Sequence, residues 1–182
     1  RGHQQYAIVK LDAETGQSKY IINEVSNTFI DYSGKKFRYD VNDGKEIIWS
    51  SERNGWNHLY LFDGESGQII NQITEGEWVV RKVVNVDEKN RQIIFEGSGR
   101  NKKEDPYLIH YYKVGFDGKN LKELTKEEAN HTAYFNEDFS YFVNQYSLIN
   151  KVPVTVLRDG SGKVVMELES GNVSKLQDFG WR

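Results

Sequence analysis

The chain repeats one short pattern four times, and this repeat restricts the possible folds more than any other feature. An apolar stretch ends in an aspartate, and a glycine-containing turn follows. The four stretches are residues 6–12 (YAIVKLD), 58–63 (HLYLFD), 108–117 (LIHYYKVGFD) and 154–159 (VTVLRD). Their aspartates lie about 51, 54 and 42 residues apart, a spacing within the range of architectures that repeat one supersecondary unit. The sequence therefore predicts several copies of one unit.

Further candidate strands recur in step with these stretches. The later three are preceded by residues 46–50 (EIIWS), 92–96 (QIIFE) and 140–145 (SYFVNQ), and residues 18–24, 68–74, 121–125 and 163–169 follow the glycine turns. Upstream hairpin turns at residues 42–44 (NDG), 88–90 (EKN) and 136–138 (NED) add one more strand to each later unit. A full unit therefore contains four strands.

This organisation predicts an all-β fold, a β-propeller fragment of about three and a half four-stranded antiparallel blades. The 13% aromatic content favours strands, and strands that are apolar at successive positions suit sheets covered on both faces. We divide the single segment into a half blade at 1–25, blades at about 29–75, 78–125 and 131–170, and a tail at 171–182. A two-sheet sandwich is the structural alternative, but it does not require four-strand units to recur.

The predicted number of blades is too small for a closed ring, because propellers typically have 4–8 blades. We therefore expect an arc of a larger ring, whose end blades lack covering neighbours. We also expect the longer loops, 51–57, 97–107 and 146–153, to share one face with the interblade links 75–78 and 126–131.

Composition narrows the class of function. A net charge of -3 provides no basic field for nucleic acid, and no apolar stretch approaches the roughly 20 residues of a membrane-spanning helix. The absence of cysteine excludes disulfides and thiolate metal sites. We predict no metal, no cofactor, no nucleic-acid partner and no membrane insertion.

Two segments carry a resemblance to a known family. Residues 47–60 (IIWSSERNGWNHLY) resemble the "WxSERdGwxHLY" segment of dipeptidyl peptidase IV-like proteins, and residues 72–80 (QITEGEWVV) are similar to the link that follows it. Weaker similarity continues through residues 104–107, 124–125, 130–131 and 146–153. The residues that match the motifs, for which we expect a structural role, are Trp49, Ser51, Glu52, Arg53, Gly55, Trp56, His58, Tyr60, Thr74, Gly76 and Trp78.

The resemblance implies the N-terminal propeller of a serine exopeptidase in the prolyl oligopeptidase superfamily. In that family the propeller has eight blades, and a C-terminal α/β-hydrolase domain of the same chain carries a Ser-Asp-His triad. A glutamate pair in an earlier blade holds the amino terminus of the peptide substrate. The resemblance also favours a bacterial, periplasmic or otherwise extracytoplasmic protein, and it allows a homo-oligomer.

We expect no catalytic residue in this chain. A hydrolase nucleophile elbow requires Gly-x-Ser-x-Gly, whereas the serines at 66, 98 and 161 lie in sequences typical of turns. Upstream of Trp49 the sequence has only separated acids, such as Glu14, Glu24 and Glu46. We therefore expect the glutamate pair to precede this segment, and the residues that bind substrate stay unassigned.

Charged residues elsewhere have a structural and a functional interpretation. Glu127 and Glu128 could bind an ammonium group, but their position between two blades favours a solvated turn. Glu52 and Arg53 could contact substrate, although an ion pair that fixes the loop beside Gly55 is the favoured interpretation.

The remaining candidate residues are interpreted mainly as packing or surface groups. The histidines, His3, His58, His110 and His131, lack metal-ligand spacing, and His58 and His110 are expected to be packed or hydrogen-bonded. The tryptophans Trp49, Trp56 and Trp78 are expected to anchor blades, with ligand stacking as the alternative. The basic loop Arg100, Lys102 and Lys103 is expected to be solvated.

Two functional hypotheses follow. The chain is the non-catalytic propeller portion of a dipeptidyl peptidase IV-like exopeptidase and shapes access to a hydrolase domain. The alternative is a non-enzymatic propeller that binds protein or carbohydrate partners.

Overall fold

The computed structural model describes residues 3–31, 34 and 36–180, which contain fourteen strands and one short helix. The strands of the first two sheets are β1 (Gln5–Leu11), β2 (Ser18–Val25), β3 (Arg38–Val41), β4 (Glu46–Ser51), β5 (His58–Asp63) and β6 (Ile69–Gln72). The others are β7 (Val79–Asp87), β8 (Gln92–Ser98), β9 (His110–Gly115), β10 (Lys122–Glu123), β11 (Asn130–Phe135), β12 (Tyr141–Leu148), β13 (Lys151–Asp159) and β14 (Val164–Ser170).

These strands form four antiparallel sheets in chain order. The first sheet contains β1 and β2, the second β3 to β6, the third β7 to β10 and the fourth β11 to β14, and every strand pairs with its neighbour in sequence. The predicted all-β fold with a half blade and three four-stranded blades is confirmed. The parts of the predicted half blade, second unit and tail at residues 1–2, 32–33, 35 and 181–182 lie outside the described residues.

The hairpin turn between β3 and β4 follows from its residue types. Asn42, Asp43 and Gly44 all have positive φ, at 48°, 56° and 82°. Asparagine, aspartate and glycine tolerate this left-handed conformation better than other residues, and the flanking strands can therefore reverse direction within a few residues.

The apolar runs in β4 and β5 cover both faces of the second sheet. Ile48 and Leu61 pack toward Phe95 in the third sheet, whereas Trp49 and Phe62 belong to a separate cluster with residues of β2. Adjacent residues of one strand point to opposite faces, so an unbroken apolar run serves two neighbouring sheets.

The glycine turns make close contacts between successive sheets. Gly162 has φ 86°, and a methyl group on its Cα would lie 2.5 Å from the Leu124 carbonyl oxygen at the end of the third sheet. A methyl group on Gly118 would lie 3.0 Å from Gln72 O, and a methyl group on Gly67 would likewise lie against Ile21 O. In each case the turn of one sheet packs on the last strand of the preceding sheet.

One feature of the tail was not expected from the sequence. Residues Ser174–Asp178 form a short helix, α1, and the Ser174 amide donates a hydrogen bond to Asn172 Oδ1 at 2.9 Å, an arrangement resembling a helix cap. Within the described part of the chain, no helix has the length and apolar character needed to cross a bilayer.

Candidate functional site

The long loops meet at one end of the sheets and form the surface on which a functional site would lie. The Lys102 ammonium donates to Glu77 O at 2.9 Å and lies 5.9 Å from the centre of the Trp56 ring. Loop 97–107 therefore contacts both the link 75–78 and the loop 51–57. Loop 146–153 and the link 126–131 line a common cavity of about 260 Å³.

A buried carboxylate organises the first part of this surface. Glu24, on β2, accepts hydrogen bonds from Lys36 Nζ at 2.9 Å and from Trp49 Nε1 at 2.7 Å. The side chains of Glu24 and Lys36 are each only 8% exposed, and the Lys36 ammonium lies 5.4 Å from the centre of the Trp49 ring. The cluster ties β2 of the first sheet to β4 of the second.

The pKa of Glu24 shows that its hydrogen bonds outweigh its desolvation. Burial alone would raise the pKa of this carboxyl, but the bonds from Lys36 and Trp49, together with the lysine charge, hold it below its usual range. Glu24 therefore remains ionised in neutral solution, and the pair is compensated rather than left as an isolated buried charge.

Arg53 completes the cluster from the loop after β4. Its Nε donates to Ser51 Oγ at 2.9 Å, and its guanidinium lies over the rings of Tyr60 and Phe62 at 4.8 Å and 5.3 Å. The nearest carboxylate is Glu24, 4.0 Å from Arg53 Nη2. Among the described ion pairs Arg53 has Glu24 as its partner, so the expected Glu52–Arg53 pair is wrong.

His58 fixes the link between the second and third sheets. Its Nε2 lies 2.8 Å from Gly76 O and its Nδ1 lies 3.0 Å from Thr74 Oγ1. A carbonyl oxygen only accepts, so Nε2 carries the proton and the Thr74 hydroxyl donates to Nδ1. Burial lowers the pKa of His58, which favours this neutral form. The predicted packed, hydrogen-bonded imidazole is confirmed.

Trp78 packs against the edge of His58. The two ring centres are 5.1 Å apart and the rings are nearly perpendicular, while the Trp78 indole donates to Glu75 O at 2.7 Å. Gly76, with φ 119°, leaves space for the indole, because a methyl group there would lie 2.8 Å from the ring. The imidazole of His58 is thus surrounded by three other motif residues, Thr74, Gly76 and Trp78.

Two expectations for single residues need correction. Trp49 and Trp78 are buried as expected, but Trp56 is 40% exposed and does not anchor a blade core. Glu127 is not a fully solvated turn residue, because its carboxylate binds Arg158 Nη2 at 2.6 Å; Glu128 is exposed. The guanidinium lies inside the fourth sheet and draws the carboxylate inward.

Arg158 belongs to a second buried polar cluster. Its Nε donates to Asn144 Oδ1 at 3.0 Å, and this oxygen also lies 3.2 Å from His131 Nδ1. Neither Asn144 nor Arg158 was singled out from the sequence. A polar residue at an inward position of an otherwise apolar strand is the signal that could have identified both, and it also applies to Glu24.

The basic loop has surface contacts. Arg100 lies over the Tyr112 ring at 5.7 Å, and Lys102 forms an ion pair with the exposed Glu77 at 3.2 Å.

The cavity beside the Glu24 cluster has a volume of about 420 Å³ and is lined by residues 24–30, Glu52, Arg53 and Gly55. Its charged groups could orient a polar ligand by hydrogen bonds. Within the described residues, no group of three His, Cys, Asp or Glu side chains is arranged to hold a metal ion.

Comparisons with known proteins give a consistent result. The family described as "Dipeptidyl peptidase IV (DPP IV) N-terminal region" matches residues 1–153. Dipeptidyl peptidase 4 of Trichophyton rubrum is 31% identical over 134 residues, which cover 72% of this chain and 16% of that protein. Dipeptidyl peptidase 4 of Trichophyton equinum is 30% identical over 152 residues, which cover 76% of this chain and 18% of that protein.

A solved structure has the same fold. The crystal structure of Porphyromonas gingivalis dipeptidyl peptidase 4 superposes with a TM-score of 0.72 at 20% identity, over 97% of this chain and 24% of that one. The chain thus spans less than a fifth of these two curated relatives and about a quarter of the solved chain. Since the family match extends over most of the sequence, the chain belongs to the dipeptidyl peptidase IV N-terminal region family.

Proposed function

We propose that the chain is the non-catalytic propeller portion of a dipeptidyl peptidase IV-like serine exopeptidase, and that it shapes access to an α/β-hydrolase domain elsewhere in the same protein. The observation that carries this proposal is the family match over residues 1–153. In this proposal the hydrolase domain supplies the triad, and this chain supplies a wall of the substrate path.

The loop surface supports this role because it is built to hold its shape. Glu24 and His58 fix the bases of the loops through buried hydrogen bonds. The tips of the loops, including Trp56 and Tyr107, are exposed and free to meet a substrate or another domain. Loops with rigid bases and accessible tips suit a surface that restricts which substrates reach the hydrolase domain.

The motif residues have a structural part in this proposal. Trp49, Ser51 and Arg53 surround Glu24, while Thr74 and Trp78 surround His58. We further propose that residues 1–182 form one propeller segment whose tail, 171–182, leads toward the catalytic domain.

The test compares this chain with the natural full-length protein. We expect the full-length protein to release dipeptides from Xaa-Pro chromogenic substrates and to react with a fluorophosphonate probe at a serine outside residues 1–182. The chain alone is expected to do neither, because an activated nucleophile and an oxyanion hole are both required. Full-length protein without probe labelling would instead favour the non-enzymatic scaffold.

A loop variant tests the role in access. Replacing residues 100–106 by a short Gly-Ser linker in the full-length protein should raise kcat/KM for a peptide of about 30 residues relative to a dipeptide substrate. Shortening the turn 13–16 between β1 and β2 is the matched control, because Gly16 in this turn has no close neighbour from another sheet among the described residues. An unchanged ratio in the loop variant would contradict the proposed wall.

A further inference from the structure

The hairpin formed by β12 and β13 projects beyond both strands that flank it. On one side β11 begins opposite Ser147, and on the other side β14 ends opposite Val154. Residues 148–153 therefore extend past the sheet as a two-stranded arm, which we call the hairpin arm. A two-stranded hairpin is only marginally stable in water, so a contact beyond the sheet would stabilise it.

Three apolar side chains lie on the hairpin arm. Ile149, at its tip, has a relative exposure of 107% and is therefore fully exposed in the described part of the chain. Leu148 and Val152 are half-buried. A single exposed apolar residue is common on protein surfaces, but a group of them on a projecting arm favours contact with another surface.

A cavity of about 260 Å³ lies beside the hairpin arm. Its apolar lining includes Ala129, Leu148 and Val152, together with the ring of Tyr146. This ring packs against the imidazole of His131, with centres 5.4 Å apart, so the wall that it forms is held in place. The volume is below the roughly 300–1,000 Å³ of pockets that hold drug-sized ligands, and it suits one apolar side chain of a partner.

The charged residues around the cavity do not oppose its closure. The Glu127 carboxylate is bound to the Arg158 guanidinium at 2.6 Å, so a partner that covers it leaves no isolated buried charge. Glu128 and Lys151 also line the cavity, carry opposite charges and are exposed. They can remain in water at the edge while the apolar walls are covered, as in interfaces with a polar rim.

The chain leaves the fourth sheet next to this cavity. The Gly171 amide donates to Pro153 O at 2.8 Å, and a methyl group on Gly171 would lie 3.0 Å from Val152 Cβ. The first residue of the tail 171–182 is therefore held against the hairpin arm. A domain joined to this tail has a high effective concentration near the cavity, because the linker makes docking an intramolecular event.

We propose that the hairpin arm and its cavity are a docking seat for the catalytic domain. An apolar side chain of that domain fills the cavity, and Ile149 enters an apolar pocket on the domain. This inference rests on the proposed function, because it requires the hydrolase domain. Apolar anchors in pockets typically supply most of the binding energy of an interface, so the seat fixes the loop surface relative to the catalytic domain.

Hydrogen exchange in the natural full-length protein tests the docking seat. Ile149→Asp should lower the protection of residues 148–152, and of one segment in the domain that carries the probe-reactive serine, by about tenfold or more. Residues 131–135 should keep their protection. Ile149→Leu should behave like the natural protein, because the apolar anchor is retained. Ile70→Asp is the matched control, since Ile70 is 50% exposed but lies on β6, outside the arm.

A second measurement needs no variant. Hydroxyl-radical footprinting of the full-length protein should find Ile149 shielded from oxidation, although it is fully exposed within this chain, whereas Ile70 should react. Because Ile149 has no described packing partner to lose, the Asp variant should keep the four sheets intact, and its effects report a contact with another part of the protein.

Several outcomes would overturn the docking seat. One is an equal effect of Ile149→Asp and Ile70→Asp, and another is free oxidation of Ile149. Protection that depends on protein concentration would assign the seat to a second copy, and a change confined to KM would assign it to the peptide substrate. Full-length protein without a probe-reactive serine would overturn the proposed function and this inference with it, so the two failures are distinguishable.

Discussion

At the scale of single residues, the ionised carboxylate of Glu24 is the group whose partners matter most. It is buried between two sheets and depends on an ammonium and an indole N–H for compensation. A charged acceptor that loses one donor inside a protein costs more than the same loss at the surface.

Replacing Trp49 by phenylalanine tests the indole bond. An aromatic ring is retained, but it is smaller than the indole of this buried residue and the 2.7 Å bond to Glu24 is lost. We therefore expect the free energy of unfolding to fall by about 1.5–3 kcal/mol from the lost bond and by a further amount from the space left in the core. Urea denaturation measures the change. Trp56→Phe is the control, since Trp56 is 40% exposed, and it should change stability by less than about 0.5 kcal/mol. Equal effects of the two substitutions would contradict the role assigned to Glu24.

At the scale of elements, the glycine turns connect each sheet to the one before it. Gly162→Ala should destabilise the protein in two ways. Its φ of 86° costs an alanine about 1–2 kcal/mol, and the methyl group would lie 2.5 Å from Leu124 O, which adds about 1–3 kcal/mol. Thermal unfolding followed by circular dichroism measures the sum.

Gly16 provides the matched control for this turn. Its φ is 71°, and no described atom outside its chain neighbours lies within 4 Å of the added methyl position. Gly16→Ala should therefore show only the backbone cost. If both alanine variants lose the same stability, the contact between sheets contributes nothing and the interpretation of the glycine turns is wrong.

The same elements show how far the sequence predicts the fold. The aspartate-ended strands and glycine turns were placed within a few residues, because local turn chemistry and apolar runs determine them. The contact of Gly162 with Leu124 could not be predicted, since it depends on how one sheet lies against another. The partners of Glu24 and Arg158 could not be predicted for the same reason, because they are distant in sequence and lie on other strands or loops.

At the scale of the whole molecule, the last strand of the fourth sheet, β14, presents exposed apolar side chains. Four residues of β14, Val164, Val165, Met166 and Leu168, are 42–52% exposed. The free edge of such a strand favours pairing with another chain. We therefore expect the 182-residue chain to associate reversibly, with a sedimentation coefficient that rises with concentration.

Met166→Lys should weaken this association about tenfold or more. The substitution removes an apolar contact that would become buried on association, and it places a charge on the edge strand β14. Tyr107→Lys is the control, since Tyr107 is 79% exposed but lies in the loop between β8 and β9 of the third sheet and not on a strand edge. Sedimentation velocity over a range of concentrations measures both. A monomer at all concentrations, or an equal effect of the two lysines, would exclude association through β14.

The order of strands within the sheets also bears on how the chain folds during synthesis. Every strand pairs only with its sequence neighbours, and no described strand pairs across sheets. Loop closure is therefore short for each pairing, which favours rapid formation of each sheet. A sheet such as β3 to β6 can assemble as soon as its own residues have left the ribosome, and each new sheet can then dock its glycine turn on a neighbour that is already formed.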